Sequence, residues 1–364
     1  MVTETKTTAS PAQVESRKLI VSWLVIVALL VFAMIVLGGV TRLTNSGLSM
    51  TDWKPISGWL PPLSEEAWTA EFERYKAFPE YQLVNKGMSL GDFKGIYAFE
   101  FAHRVLGRVI GLAFFIPFLL FLIFGKIRGP LVPRLAILFV LGGLQGGMGW
   151  FMVKSGLVDD PDVSHYRLTA HLALASLIFS VILWTIFDLV RPGYEGIRAA
   201  HRNVRRWSYF VLILIALQIL IGGFVAGLNA GFIYTDWPLM GGNFLPEDMF
   251  HMAPAYLNFL ENPGAIQFVH RIVAYAVAIA CVFLYLISRR QDVSYTIRLG
   301  VVCLLVAVGL QVILGILTLL YVVPVSLGAL HQAGGMIVLA IGVFVAHELY
   351  VEERGQKETG QLAS

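Results

Sequence analysis

Apolar residues run along this chain in long unbroken blocks rather than in the alternating or one-faced stripes of a soluble domain. Eight blocks recur, near residues 20–40, 97–125, 134–153, 168–190, 208–228, 266–287, 299–321 and 327–347. Each spans about 20 residues or more, enough for a helix to cross a hydrocarbon core of about 30 Å. The pattern predicts an all-α integral membrane protein with eight transmembrane helices. The first block is too long, and followed by too much membrane, to be a cleaved signal peptide. Two intervening segments, 41–96 and 228–265, are long. The stretch from Thr41 to Pro55 is too rich in turn residues to continue a helix, whereas 64–78 reads as a short surface helix.

Composition agrees: 57% of the 364 residues are hydrophobic and 14% charged, which excludes a soluble globular chain. Charge adds orientation. Lys126, Arg128 and Arg134 lie between spans two and three, Arg191, Arg198, Arg202, Arg205 and Arg206 between four and five, and Arg289, Arg290 and Arg298 between six and seven. With Arg17 and Lys18 they all fall on one side, which puts both termini in the cytoplasm. Lys54, Arg74, Lys76 and Lys86 of the first long loop weigh less, because Glu65, Glu66, Glu71 and Glu73 accompany them. The net charge of +3 thus speaks of topology and not of nucleic acid. The leader and short tail point to a bacterial inner membrane. Cys281 and Cys303 lie inside spans, so an outer-loop disulfide is excluded, and small packing residues are expected there.

A second pattern lies over the first. Thr51-Asp52-Trp53 returns as Thr235-Asp236-Trp237, His103 as His270, Gln145 as Gln311, and His171 as His331. Gln145 and Gln311 each precede a glycine by one helical turn, Gly149 and Gly315. Landmarks repeated in the same order mean an internal duplication. The chain is expected to comprise a disordered cytoplasmic leader (1–17), an N-terminal four-helix half (18–190), a basic linker (191–206), a C-terminal four-helix half (207–350) and a cytoplasmic tail (351–364). Each half has an even number of spans, so the fold class is two tandem, similarly oriented four-helix bundles.

The candidate chemistry sits in Glu100-Phe101-Ala102-His103-Arg104 and its echo Gln267-Phe268-Val269-His270-Arg271. Ionisable residues within a bilayer are costly and mark function by default. His103, His171, His270 and His331 lie about 7–11 Å into their helices from the outer end, at about 1.5 Å per residue. Each is followed one turn later by a small residue, Gly107, Ala175, Ala274 or Gly335, leaving a notch for a flat macrocycle. Paired histidines suit axial ligation of haem iron, while zinc or copper would call for three or four ligands in one place. Arg104 and Arg271 could pair with haem propionates or reach out to the interface. Glu100 faces Gln267 across the repeat, so one half has a proton-active carboxylate and the other does not. A Glu100–Arg104 ion pair at i,i+4 is the plainer reading of the same residues. His165, His201, His251 and His347 are expected to be solvated.

Together these residues resemble the haem A synthase family over roughly residues 20–350. Gly39-Val40-Thr41-Arg42-Leu43-Thr44-Asn45-Ser46-Gly47-Leu48-Ser49, Glu100-Phe101-Ala102-His103-Arg104 and the paired histidines carry the likeness. The resemblance implies oxidation of a ring methyl of haem O to a formyl, giving haem A for terminal oxidases. It implies Glu100, His103 and His171 as the catalytic, substrate-haem set, and His270 and His331 as ligands of a haem B cofactor. One family branch carries a cysteine pair in the first outer loop; this chain has none and is similar to the branch that lacks it. Implied partners are haem O, membrane lipid, the haem O synthase that would hand over a poorly soluble substrate, and an electron donor the sequence does not identify. Oligomeric state is left open, a homo-oligomer included. The alternative is a dihaem, cytochrome b-like electron carrier, which would need the four histidines but not the Glu100/Gln267 difference.

Overall fold

Side chains that satisfy otherwise orphaned backbone N–H groups set where the helices begin. Ser89 Oγ accepts from Asp92 N at 3.2 Å while Ser89 N donates to Asp92 Oδ2 at 3.0 Å, a reciprocal cap that starts the second span. Asn262 Oδ1 accepts from Gly264 N and Ala265 N ahead of the sixth, with Pro263 in the first turn, where its missing N–H costs nothing. Ser294 Oγ accepts from Ile297 N at the start of the seventh. The first and fifth spans each run out into an asparagine in the left-handed region, Asn45 at φ 48° and Asn229 at φ 51°.

The structure, a computed structural model, describes residues 11–53, 57–156, 163–191 and 202–362, with side chains as far as Glu352 except at 155 and 156. The described helices are α1 (Pro11–Leu43), α2 (Glu65–Lys76), α3 (Pro79–Leu83), α4 (Leu90–Ile123), α5 (Leu131–Gly156), α6 (His165–Val190), α7 (Arg202–Gly227), α8 (Pro263–Arg289), α9 (Tyr295–Leu320) and α10 (Val325–Leu362). All but α2 and α3 are long and apolar enough to cross a membrane. The protein is an all-α integral membrane protein with eight transmembrane helices. Helix α1 starts at Pro11, inside the expected leader, and α10 continues through the expected tail to Leu362. Residues 1–10 of that leader and 192–201 of the expected linker, with Arg198 and His201, lie outside the described residues; Arg202, Arg205 and Arg206 open α7.

Neighbouring spans close two rings. Helix α1 packs on α4, α4 on α5, α5 on α6 and α6 back on α1; likewise α7 on α8, α8 on α9, α9 on α10 and α10 back on α7. The seam between the rings is formed by α1 and α6 against α10 and by α6 against α7. A continuous apolar core, including Leu24, Ile182, Leu284, Leu304 and Met336, runs through both rings. Cys281 belongs to it, but Cys303 is exposed on the helix surface, so the packing role expected for both cysteines holds for one.

Two of the histidines expected to be solvated are not. His347 is 0% exposed; its Nε2 lies 2.9 Å from Asp188 Oδ1 and its ring packs edge-on against Trp184. An imidazole with carboxylate partners and an aromatic wall can stay inside a bundle. The nearer of the two carboxylates, Asp188, is far off in the sequence, with Glu348 Oε1 at 3.7 Å from Nδ1. His165 is drawn into the seam, where its ring lies 5.5 Å from that of Phe224 and its Nε2 3.4 Å from Glu261 Oε2. His251 is exposed, as expected.

Candidate functional site

Each of the four candidate histidines rests on a glycine of the preceding span. A Cβ on Gly38 would lie 3.3 Å from His103 Nε2, one on Gly149 3.3 Å from His171 Cε1, one on Gly222 3.4 Å from His270 Cε1, and one on Gly315 2.8 Å from His331 Cε1. Any side chain there would crowd the imidazole, so a bare backbone is what lets each ring lie between two helices. One turn before three of these glycines is a glutamine whose Nε2 donates to the main-chain oxygen of the same histidine. The pairs are Gln145 with His171 at 3.1 Å, Gln218 with His270 at 3.0 Å and Gln311 with His331 at 2.7 Å. Gln145 and Gln311 stand out in the sequence as repeated landmarks. Gln218 and Gly222 do not, although the same one-turn spacing before a glycine could have flagged them. In the fourth place stands Met34, one turn before Gly38.

The small residues that follow the histidines have an additional cause. A Cβ added to Gly107 would meet Met34 Cε at 3.2 Å, and one added to Gly335 would meet Gln311 Nε2 at 3.6 Å. At these two positions the notch receives a side chain of the neighbouring helix.

The structure brings the histidines together by halves. His270 and His331 have ring centroids 6.4 Å apart with planes at 70°. His171 lies within electrostatic reach of His103. Among the described residues no three His, Cys, Asp or Glu side chains form a group able to hold a bare metal ion.

The donor set therefore suits a metal that brings most of its own ligands. A centroid separation of 6.4 Å leaves room for one metal between the two rings, at about 2 Å from a nitrogen of each. The buried, unpartnered atoms His171 Nδ1, Gln145 Oε1, Gln218 Oε1 and Gln311 Oε1 leave polar capacity unfilled around the rings. These residues fit haem.

Above each pair the chain leaving the first or fifth span folds back as a strap over the helix ends. Glu100 is 3% exposed, and both of its oxygens are engaged. Oε2 accepts from Ser49 Oγ at 2.7 Å and Met50 N at 2.6 Å, and Oε1 pairs with Arg104. Arg104 also donates to Asp52 O at 2.7 Å and Met50 O at 2.8 Å, with Trp53 against its guanidinium. The second half repeats the scheme with polarity changed. Gln267 Nε2 donates to Tyr234 O at 2.8 Å, and Arg271 donates to Tyr234 O at 3.1 Å and Leu239 O at 3.0 Å. Neither arginine reaches out to the interface: both hold strap backbone, and the Nε of each is buried without a partner. The i,i+4 ion pair is thus real and is one part of a larger anchor.

Behind the first strap lies a group the sequence did not single out. Tyr75 donates to Glu80 Oε2 at 2.9 Å and accepts from Asn85 Nδ2 at 2.7 Å, within an aromatic cluster that includes Phe72, Phe93 and Tyr97. Burial pushes the Glu80 carboxyl up to about 7, the Tyr75 hydrogen bond opposes it, and the Glu100 charge adds to it.

Residues 21–343 match the model of the family described as cytochrome oxidase assembly protein. The chain is 49% identical over 335 residues to a protein of Nitrosospira multiformis named heme A synthase, covering 92% of this chain and 94% of that one. It is 49% identical over 327 residues to one of the same name from Parvibaculum lavamentivorans, covering 90% and 93%. A third so named, from Flavobacterium psychrophilum, is 46% identical over 337 residues, covering 92% and 98%. Matched across both rings by that model and over nine-tenths of its length by these relatives, the chain belongs to the cytochrome oxidase assembly protein family, in the company of the heme A synthases.

Proposed function

We infer that the protein is a haem A synthase, an oxidoreductase that converts a ring methyl of haem O to the formyl of haem A. The single observation that carries the reading is four cradled histidines with a buried carboxylate, Glu100, one turn before the first histidine of one half, where the other half has Gln267. Glu100 belongs to the half of His103 and His171, so that half is the one we assign to haem O. The half of His270 and His331 is assigned to haem B, which supplies electron transfer when bound. Two successive oxygenations of the methyl give an alcohol and then a hydrated aldehyde, which loses water.

The chain's own residues divide this work. The four imidazoles bind and orient the two macrocycles. The strap from Thr44 to Trp53, pinned by Glu100 and Arg104, covers the substrate pair. Glu100 Oε2, fixed between Ser49 Oγ and Met50 N, either takes up a proton or balances positive charge developing at the methyl carbon. The unpartnered Nε of Arg104 and of Arg271 is a donor suited to a propionate. The protein is assigned to a bacterial inner membrane with both termini cytoplasmic and the straps outside. Haem O would come from its synthase, and electrons from a donor outside this chain. A dihaem electron carrier has no use for the difference between Glu100 and Gln267, and the relatives' names do not favour it.

Extraction and chromatography of the haem from protein purified in mild detergent tests the reading. Haem B accompanied by haem O, a hydroxylated intermediate or haem A is expected. Haem B alone would favour the electron carrier, and absence of haem from haem-replete membranes would overturn the ligand assignment.

A further inference from the structure

The three glutamines leave the same atom over. Each spends its Nε2 on the main-chain oxygen of a histidine and lies beside that histidine's ring, at 3.3 Å from His171 Nε2, 3.2 Å from both ring nitrogens of His270 and 3.1 Å from His331 Nδ1. Each Oε1 is buried with no partner. A buried acceptor without a donor costs about 1–3 kcal/mol, so three repeated cases require a reason. Metal-ligating histidines supply one: they almost always donate their second ring N–H to an acceptor, which fixes the tautomer and the ring plane and strengthens the ligand. Gln145, Gln218 and Gln311 face the rings with Nε2 and keep that acceptor unspent, so a turn of the imidazole on binding iron is what brings a ring N–H to it.

His103 stands apart. The position one turn before its glycine is Met34, whose Cε faces Gly107, and a thioether is a weak acceptor. Among the described residues the His103 side chain makes no hydrogen bond; Gly38 lies under its ring, and His171 and Arg104 are within electrostatic reach. We propose that three of the four haem ligands are locked by a glutamine, and that Met34 leaves His103 unlocked, so that His103 can release and open a coordination position in the N-terminal half. Met34 and the glutamines are positioning residues in this scheme, acting through the histidines. The inference rests on the reading of the four histidines as haem ligands. It adds which ligand yields, and it leaves both histidines of the C-terminal half held by a glutamine.

Exchanging the two residues tests it, with carbon monoxide as the probe of an open position on the reduced, purified holoprotein. The wild type is expected to bind carbon monoxide at the N-terminal haem only. Met34→Gln should weaken that binding about tenfold with haem content unchanged, the scale on which outer hydrogen bonds act on metal ligands. Gln218→Met should confer carbon monoxide binding on the C-terminal haem, an arm that does not depend on how well the first variant folds. Carbon monoxide binding unaltered by both exchanges, in protein that retains both haems, would overturn the inference. His103→Ala and His270→Ala separate the two levels. If neither changes haem content or spectrum, the ligand reading itself fails; if both do while the exchanges do nothing, only the inference falls.

Discussion

Glu100 and Gln267 occupy equivalent places but face opposite backbone groups. The first strap offers donors, Met50 N and Ser49 Oγ; the second offers an acceptor, Tyr234 O. A carboxylate is the matching group in one half and an amide in the other. Gln267→Glu would set a carboxylate oxygen against the Tyr234 carbonyl. The expected loss is about 1–3 kcal/mol, the cost of a buried polar group left unsatisfied, read as a lower unfolding midpoint in detergent with release of haem B. Glu100→Gln sets an amide against Arg104 and is expected to lower the unfolding midpoint by a similar amount. The folded protein that retains both haems is expected to lose the formyl product, read by chromatography of extracted haem. Undiminished haem A from that variant would remove Glu100 from the chemistry and leave it the strap anchor only. The contrast between the two residues is visible in the sequence. Its structural meaning is not, because which backbone atom the strap presents depends on a turn with no periodicity to read.

At the scale of elements the same division holds. Spans, their order and the four histidines follow from apolar block length and repetition, which are local signals. The glutamine of α7 and the methionine of α1 escaped because they hold equivalent places in the two halves but differ in type, so no landmark repeats there, unlike Gln145 and Gln311. The packing of α3 on α2 and of α2 against the start of α4 escaped for another reason: Tyr75, Glu80 and Asn85 are brought together by the short breaks that separate α2, α3 and the segment after it. That region carries a pH dependence of its own. The Glu80 carboxyl titrates higher folded, at about 7, than its ordinary 4.5, so the folded state binds the proton more tightly. Its contribution to stability is complete below about pH 4.5 and is lost as the pH rises through about 7, on the order of 3 kcal/mol in all. Cleavage within residues 57–89 by an added protease should therefore be faster at pH 8 than at pH 5 when each rate is referred to a Glu80→Gln variant at the same pH. A pH-independent ratio would show that Glu80 titrates alike folded and unfolded.

Across the whole molecule the two rings are fastened at both ends of the seam. At the strap end Arg42 donates to Gly227 O at 3.2 Å and Asn229 Oδ1 at 3.1 Å, and Tyr166 donates to Glu261 Oε1 at 2.5 Å. Midway, Gln332 Nε2 donates to Ile35 O at 2.8 Å. At the far end Arg191 Nη1 meets Glu348 Oε2 at 2.5 Å, and Asp188 binds both Arg134 and His347. A chain divided between the rings and co-expressed as two pieces should thus purify as one non-covalent complex in mild detergent. Adding Arg191→Ala and Arg42→Ala together should increase dissociation severalfold in size-exclusion chromatography. Pieces that separate without those changes would mean the peptide linker, not the seam, holds the halves. Duplication made these contacts hard to foresee, since each half repeats its own landmarks but the seam joins unlike residues.

The glycine cradles also say where this chain can change in length. A ring lies over a glycine only if both stand at matching heights and angles on adjacent helices, and one added residue turns a helix by about 100°. A single insertion between Met34 and Gly38, or within any of the three corresponding glutamine–glycine turns, would swing the cradle away from its imidazole. The straps carry no such register beyond their anchors, and the first, from Thr44 to Ser89, is already longer than the second, from Leu228 to Asn262. The cradles thus bar insertions and deletions from the spans and not from the straps, so new length in a strap, and whatever it might recognise, enters on the face above the histidine pairs.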